Sequence, residues 1–492
     1  MLAHSRTARA WAVVAACTWL LAGCGGTGGI TVADEQKAGA QAAQQVAEQV
    51  GVYPGEFVTT YVDTIGRRLV ATLGETPYYF KFRVVDQAEP NAFATPGGYI
   101  FVSRGLLALI NSEDELAGVL AHEISHVTLR HHARQAQRGV LPAVLSIPGR
   151  AIGAVVGEDV GNIINAPISV AGQAYLSSYS RDQESEADYA GAQLVAQTGY
   201  DPAALTGILA NLERTITLLS ENPEGSRKRQ LGFFDSHPTT PTRVGDIERI
   251  AASIQWQPTR RIAANRAAVY KRLDGLTWGP NNPMQGIFRD QQFLQPDMNL
   301  TLTFPAGWRT INTPRYVGAV TPDERALILF GGPDRPGGAR ELATEFIAEI
   351  SKAADIEPWE PTEGQVGAWP AWSVKFDDEA GSEPVSVYYI WINAGNNILQ
   401  VVALGPQAYY EAMRETGDSL RQLTEAELDS IFAERIRIAA AEDSETIAEL
   451  SARSGNVMGP ELTAAINGRT VSEPLEPGTL VKILRHEPYF GN

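Results

Sequence analysis

Cysteine is almost missing from this chain. Only Cys17 and Cys24 occur in 492 residues, both near the N-terminus, so no disulfide framework staples the fold. Basic charge is short as well, with 40 Lys and Arg against 57 Asp and Glu, a net charge of −17. Such a chain repels phosphate backbones, and no local basic patch offsets this, so nucleic acid is excluded as an expected partner. Long apolar runs are absent beyond the N-terminus. Residues 140–156 come nearest, but Pro142, Pro148 and Arg150 interrupt them and Glu158 and Asp159 follow. That stretch reads as a core helix or a loop over a site, not as a membrane span. Low-complexity segments and internal repeats are also lacking. What remains is globular in composition, 44% hydrophobic and 20% charged, with length for two to four domains.

The N-terminus has a basic start (His4, Arg6, Arg9) and an apolar run over 10–23 that is too short to span a bilayer. It ends in Leu21-Ala22-Gly23-Cys24, which resembles a bacterial lipobox. The resemblance implies a lipoprotein signal peptide over 1–23, lipidation of Cys24 and a flexible, glycine-rich tether over 24–33. Cys17 leaves with the signal, so no free thiol remains, as suits an oxidising periplasm. By the sorting rule of enteric lipoproteins, the absence of Asp after Cys24 points to the outer membrane.

Periodicity predicts helices over 34–50 and 56–73 and strands over 78–85 and 99–103, paired as a hairpin across a turn-rich link at 91–98. A helix begins at Ser112, with Glu115 at capping-box spacing and Glu113 and Asp114 suited to the positive end of its dipole. Another begins at Ser180 and stops at Gly199. Trp278-Gly279-Pro280-Asn281-Asn282-Pro283 reads as a linker. Beyond it, five strands and two helices predict a separate α+β unit, and β-α-α-β order predicts a small third unit from about 430. The domains are therefore 34–275, a linker at 276–290, then 291–425 and 430–486. Trp359, Trp369, Trp372 and Trp391 are expected in a core.

His122-Glu123-Ile124-Ser125-His126 carries the chemistry. At i and i+4 of a helix, both imidazoles reach one metal ion. Leu116, Val119, Leu120 and Val127 form the buried stripe of that helix, and Gly118 leaves room for another backbone or a substrate. A catalytic zinc ion takes three protein ligands and keeps a fourth position for water. Glu184 and Asp188 share a helix face, while Glu186 points away. Glu184 is the economical third ligand, and Asp188 then accepts a hydrogen bond from a ligand imidazole. Glu123, adjacent in sequence but not a ligand, is the candidate general base toward a metal-bound water. His131 and His132 read as helix-end surface residues at the negative dipole end.

Three strings carry a family resemblance: N-A-F-A-T-P-G-G-Y-I-F-V-S-R-G-L-L, E-L-A-G-V-L-A-H-E-I-S-H-V and Y-S-R-D-Q-E-S-E-A-D. Together they resemble the HtpX and CAAX-prenyl-protease type of zinc metallopeptidase, a gluzincin, and most closely its soluble periplasmic, BepA-like branch. The resemblance implies a mainly α (α+β) zincin-type fold, one zinc ion per chain, and metal ligands at His122, His126 and Glu184. It implies Glu123 as base and Asp188 behind a ligand. Ser236-His237-Pro238-Thr239-Thr240-Pro241-Thr242-Arg243 resembles the family's downstream H-P element. There His237 assists catalysis or occupies the open metal position as a switch. Phe304-Pro305-Ala306-Gly307-Trp308 resembles the PsbP/Mog1-like sandwich, which implies binding or positioning by the middle unit. A-E-D-S-E-T-I-A-E-L and L-E-P-G-T-L-V-K-I resemble a LysM module, which implies peptidoglycan.

The expected protein is thus a lipid-anchored periplasmic zinc metalloendopeptidase acting on unfolded or misassembled envelope proteins. The alternatives are a chaperone or tether with a shut zinc site, and a peptidoglycan-associated structural lipoprotein.

Overall fold

The computed structural model describes residues 29–137, 143–145, 174–176, 179–220, 232–238, 242–333, 335–354, 357–378 and 384–490. Cys24, the signal segment, residues 239–241 and most of 140–156 lie outside them.

Helices α1 (Val32–Gln49) and α2 (Glu56–Thr72) precede a small sheet of β1 (Lys81–Val85), β2 (Ala92–Thr95) and β3 (Tyr99–Ser103). The expected hairpin is corrected here. β1 runs parallel to β3, and β2, inside the presumed link, is the antiparallel neighbour of β3. The reversal is made by Pro96-Gly97-Gly98, where both glycines have positive φ (80° and 104°), so the true hairpin joins β2 to β3. Helix α1 lies against this turn. A Cβ on Gly39 would come within 1.6 Å of the Pro96 carbonyl oxygen, so only glycine lets the helix sit there.

Short α3 (Arg104–Leu107) leads into α4 (Glu113–Thr128), capped by Ser112, whose side chain accepts from the Glu115 amide. The first-turn acids do more than balance a dipole. Glu113 is buried and accepts from Tyr61, Tyr200 and the Ile262 amide, and Asp114 pairs with Arg261 and the Asp201 amide. These contacts tie α4 to three distant segments. Arg130 takes a left-handed conformation (φ 56°) and turns the chain into α5 (His131–Gln137). Strands β4 (Ala143–Leu145) and β5 (Ala174–Leu176) pair antiparallel. Helices α6 (Arg181–Thr198), α7 (Ala204–Ser220), α8 (Phe233–Ser236), α9 (Arg243–Ser253) and α10 (Arg266–Leu273) complete this part. The space left by Gly118 is filled by α7, since a Cβ there would stand 3.3 Å from Leu205.

The middle unit is a seven-stranded antiparallel sheet. One face packs on the helix Ala339–Ala354 through Leu342, Phe346 and Ile350. Phe293, Leu302 and Met413, from a three-stranded sheet and the helix Tyr410–Asp418, cover the other. Trp391 is buried in the first core, and Trp359, Trp369 and Trp372 pack against the two cores.

The last unit pairs strands Phe432–Ala440 and Leu480–Pro488 around helices Ile447–Ser454 and Pro460–Ile466. It is joined to the first part by more than a tether. Ile436, Met458, Ile466 and Leu484 enter the same core as Leu116 and Leu120 of α4. The residues read as a linker are pinned. Trp278 donates its amide to Glu434, while Asn282 and Gln285 donate to Asp86, itself paired with buried Arg104 at 2.5 Å. Lys482 is fully buried, and its Nζ donates to the carbonyls of Ala108 (2.7 Å) and Ile110 (2.9 Å) just before α4. Burial pushes that ammonium well below its ordinary pKa, against the opposing charge of Glu115.

Candidate metal centre

Helix α4 presents His122, Glu123 and His126, all buried. Helix α6 crosses it closely. Glu184, Asp188 and Gly191 stand at i, i+4 and i+7, one stripe of α6. A Cβ on Gly191 would meet the His122 amide nitrogen at 3.2 Å, so the missing side chain lets the helices approach and sets both carboxylates over the imidazoles. Sequence reasoning missed Gly191, whose only signal was its place about one turn beyond Asp188 on that stripe.

Four donors converge. His122 Nε2 lies 3.0 Å from His126 Nε2 and 3.3 Å from His237 Nδ1. Glu184 Oε1 lies 3.3 Å from His126 Nε2 and 3.0 Å from His237 Nδ1, and its Oε2 lies 3.6 Å from His122 Nε2. A tetrahedral shell with ligands at about 2.0–2.1 Å spaces its donors about 3.3–3.4 Å apart. The observed separations bracket that value, and the ligand set of imidazoles and one carboxylate suits zinc. The residues therefore fit a single metal ion.

Aromatic rings brace the imidazoles. Tyr179 stacks on His126 with centroids 3.6 Å apart, and Phe233 stacks on His237 at 4.4 Å. Asp188 Oδ1 lies 2.9 Å from His122 Nδ1, the placement expected for a carboxylate behind a ligand. Sequence reasoning missed Arg243. It donates to both Asp188 oxygens at 2.8 Å, and its Nη1 lies 2.8 Å from Glu184 Oε2. Its only signal was its place at the end of the S-H-P-T-T-P-T-R string.

Charge follows from this packing. Burial alone would raise the Glu184 carboxyl, but the charges of His237 and His122 and hydrogen bonds from His126 and His237 hold it well below the usual range. Asp188 is likewise held low against burial, by His122 and Arg243. Glu123 differs. Burial raises its pKa, its carboxylate accepts no hydrogen bond among the described residues, and the nearest partner is His237 Nε2 at 3.3 Å. Glu123 is thus a buried carboxylate beside the donor cluster that no described residue satisfies by a hydrogen bond.

The reading of His131 and His132 as surface residues is corrected. His131 is fully buried and His132 partly so. The turn at Arg130 folds α5 back under the site, and a left-handed arginine gives no sequence signal.

A helix-borne H-E-x-x-H pair, a third helix carboxylate and a free acid beside them define a metallopeptidase site. Residues 57–251 match the profile of Peptidase family M48, and the domain they form is a metalloprotease. The chain is 28% identical over 267 residues to mitochondrial metalloendopeptidase OMA1 of Schizosaccharomyces pombe, covering 52% of this chain and 68% of that protein. It is 32% identical over 211 residues to the beta-barrel assembly-enhancing protease of Yersinia pestis, covering 41% of each. The chain thus spans less than half of that relative. A solution structure of cyanobacterial PsbP from Synechocystis sp. PCC 6803 aligns at TM-score 0.22 and 10% identity, over 30% of this chain and 98% of that one, too low to bear on the middle unit. No helix among the described residues is long and apolar enough to cross a membrane.

Proposed function

We propose that this protein is a zinc metalloendopeptidase, anchored by lipid at Cys24 in the periplasm on the outer membrane, that hydrolyses unfolded or misassembled envelope proteins. The observation that carries the reading is the convergence of His122, His126 and Glu184 beside an uncommitted, buried Glu123. When bound, zinc supplies Lewis acidity toward a peptide carbonyl and lowers the pKa of a water from about 15.7 toward about 7. Glu123 takes the water's proton and hands it to the leaving amine. Asp188 holds His122 in the tautomer that leaves Nε2 free for the ion. The envelope setting is supported by the lipobox-like sequence and by the similarity to a beta-barrel assembly-enhancing protease.

Casein degradation by the full chain is expected to stop with a chelator and return with zinc. Binding of casein without cleavage by the zinc-loaded chain would favour a chaperone or tether instead.

One observation favours a regulated site. His237 Nδ1 stands as a fourth donor, whereas catalytic zinc sites keep one position open. On this reading His237 must leave for turnover, and His237→Ala raises cleavage. A fall would make His237 an assisting group.

The middle unit, whose Phe304–Trp308 string resembles the PsbP/Mog1-like sandwich, would bind or position substrate. The LysM-like unit would hold peptidoglycan. Its glycan binding is best tested on the whole chain, because deleting 430–492 would strip Ile436, Ile466 and Leu484 from the peptidase core.

A further inference from the structure

We infer that His131 and Glu186 form a positioning relay behind His126 that fixes its ring toward the donor cluster and sets the affinity for metal. The inference rests on the metal reading above. His126 turns its two ring nitrogens to different partners. Nε2 faces the cluster, 3.0 Å from His122 Nε2 and 3.3 Å from Glu184 Oε1. Nδ1 lies 2.8 Å from His131 Nδ1, and both rings are fully buried. Two imidazole nitrogens at that distance share one hydrogen, so one donates and the other accepts.

The far end of the relay decides which. His131 Nε2 lies 3.2 Å from Glu186 Oε2. A carboxylate only accepts, so His131 Nε2 carries a hydrogen. In a neutral His131, Nδ1 is then bare and accepts. The shared hydrogen therefore sits on His126 Nδ1, which leaves His126 Nε2 bare toward the cluster. Arg134 holds Glu186 in place, with Nη1 2.5 Å from Oε2 and Nη2 3.1 Å from Oε1. The scaffold is fixed independently, since Gln183 on α6 donates to the His131 carbonyl at 3.1 Å.

Both helix α4 imidazoles are thus backed by a carboxylate. His122 has Asp188 directly, and His126 has Glu186 through an intervening imidazole. Glu186 does point away from the cluster, and its side chain is 43% exposed. On a sequence it is indistinguishable from a solvated acid. Only α5, folded back at Arg130, brings His131 between it and the site.

The test is zinc affinity of the full chain, by competition with a chromophoric chelator at neutral pH. Removing a partner behind a metal-ligating imidazole costs roughly 10–100-fold in affinity, and that loss is expected for His131→Phe. Glu186→Ala, at the exposed end, is expected to weaken zinc by about 3–10-fold while the metal-free thermal midpoint stays unchanged. His131→Gln, whose amide oxygen accepts the same hydrogen, is expected between wild type and His131→Phe. If both His131→Phe and Glu186→Ala bind zinc within about twofold of wild type, the relay is overturned. If His131→Phe does not fold by circular dichroism, Glu186→Ala decides alone, and unchanged affinity overturns the inference. A wild-type chain that binds no zinc would overturn the metal reading itself, a result separate from the other two.

Discussion

Glu123→Gln is expected to keep its zinc and lose about a hundred- to ten-thousand-fold of its proteolytic rate, the range for a general base. Glutamine has nearly the shape of glutamate but cannot take the water's proton. The side chain makes no hydrogen bond among the described residues that the amide would break, and its one ion-pair contact among them is His237 Nε2 at 3.3 Å. The four donors are untouched, so metal content by elemental analysis should match wild type. Metal-loaded variant that cleaves casein at the full rate would remove Glu123 from the mechanism.

The second large effect concerns stability. Arg243→Ala leaves Glu184 and Asp188, both buried, facing each other without the guanidinium between them. Breaking a buried ion pair by removing one partner costs about 3–5 kcal/mol, and the metal-free variant should lose that much in urea unfolding. Zinc should recover much of the loss, because a divalent cation supplies positive charge beside the same carboxylates. The zinc-induced rise in stability should therefore be larger in Arg243→Ala than in wild type. A metal-free variant within about 1 kcal/mol of wild type would show that Arg243 does not neutralise the pair.

These two side chains illustrate different degrees of legibility. Glu123 follows from its place inside H-E-I-S-H alone. Arg243 does not, because nothing near it in sequence names the carboxylates it joins, some 55 positions upstream.

The amino-acid order alone was enough to determine the local features. Ser112 and Ser180 cap the two site helices, Gly199 ends the second, and i,i+4 spacing puts His122 with His126 and Glu184 with Asp188. Each depends on residues within one or two turns, where backbone hydrogen bonding and side-chain spacing decide the outcome. Tertiary structure decided the rest. It ran β1 parallel to β3, buried His131 behind His126, placed Arg243 between two carboxylates and merged the C-terminal unit with the peptidase core. Those outcomes depend on which surfaces meet across long loops. A single missing side chain, as at Gly191, or one left-handed residue, as at Arg130, sets that meeting, and neither names its distant partner in the chain.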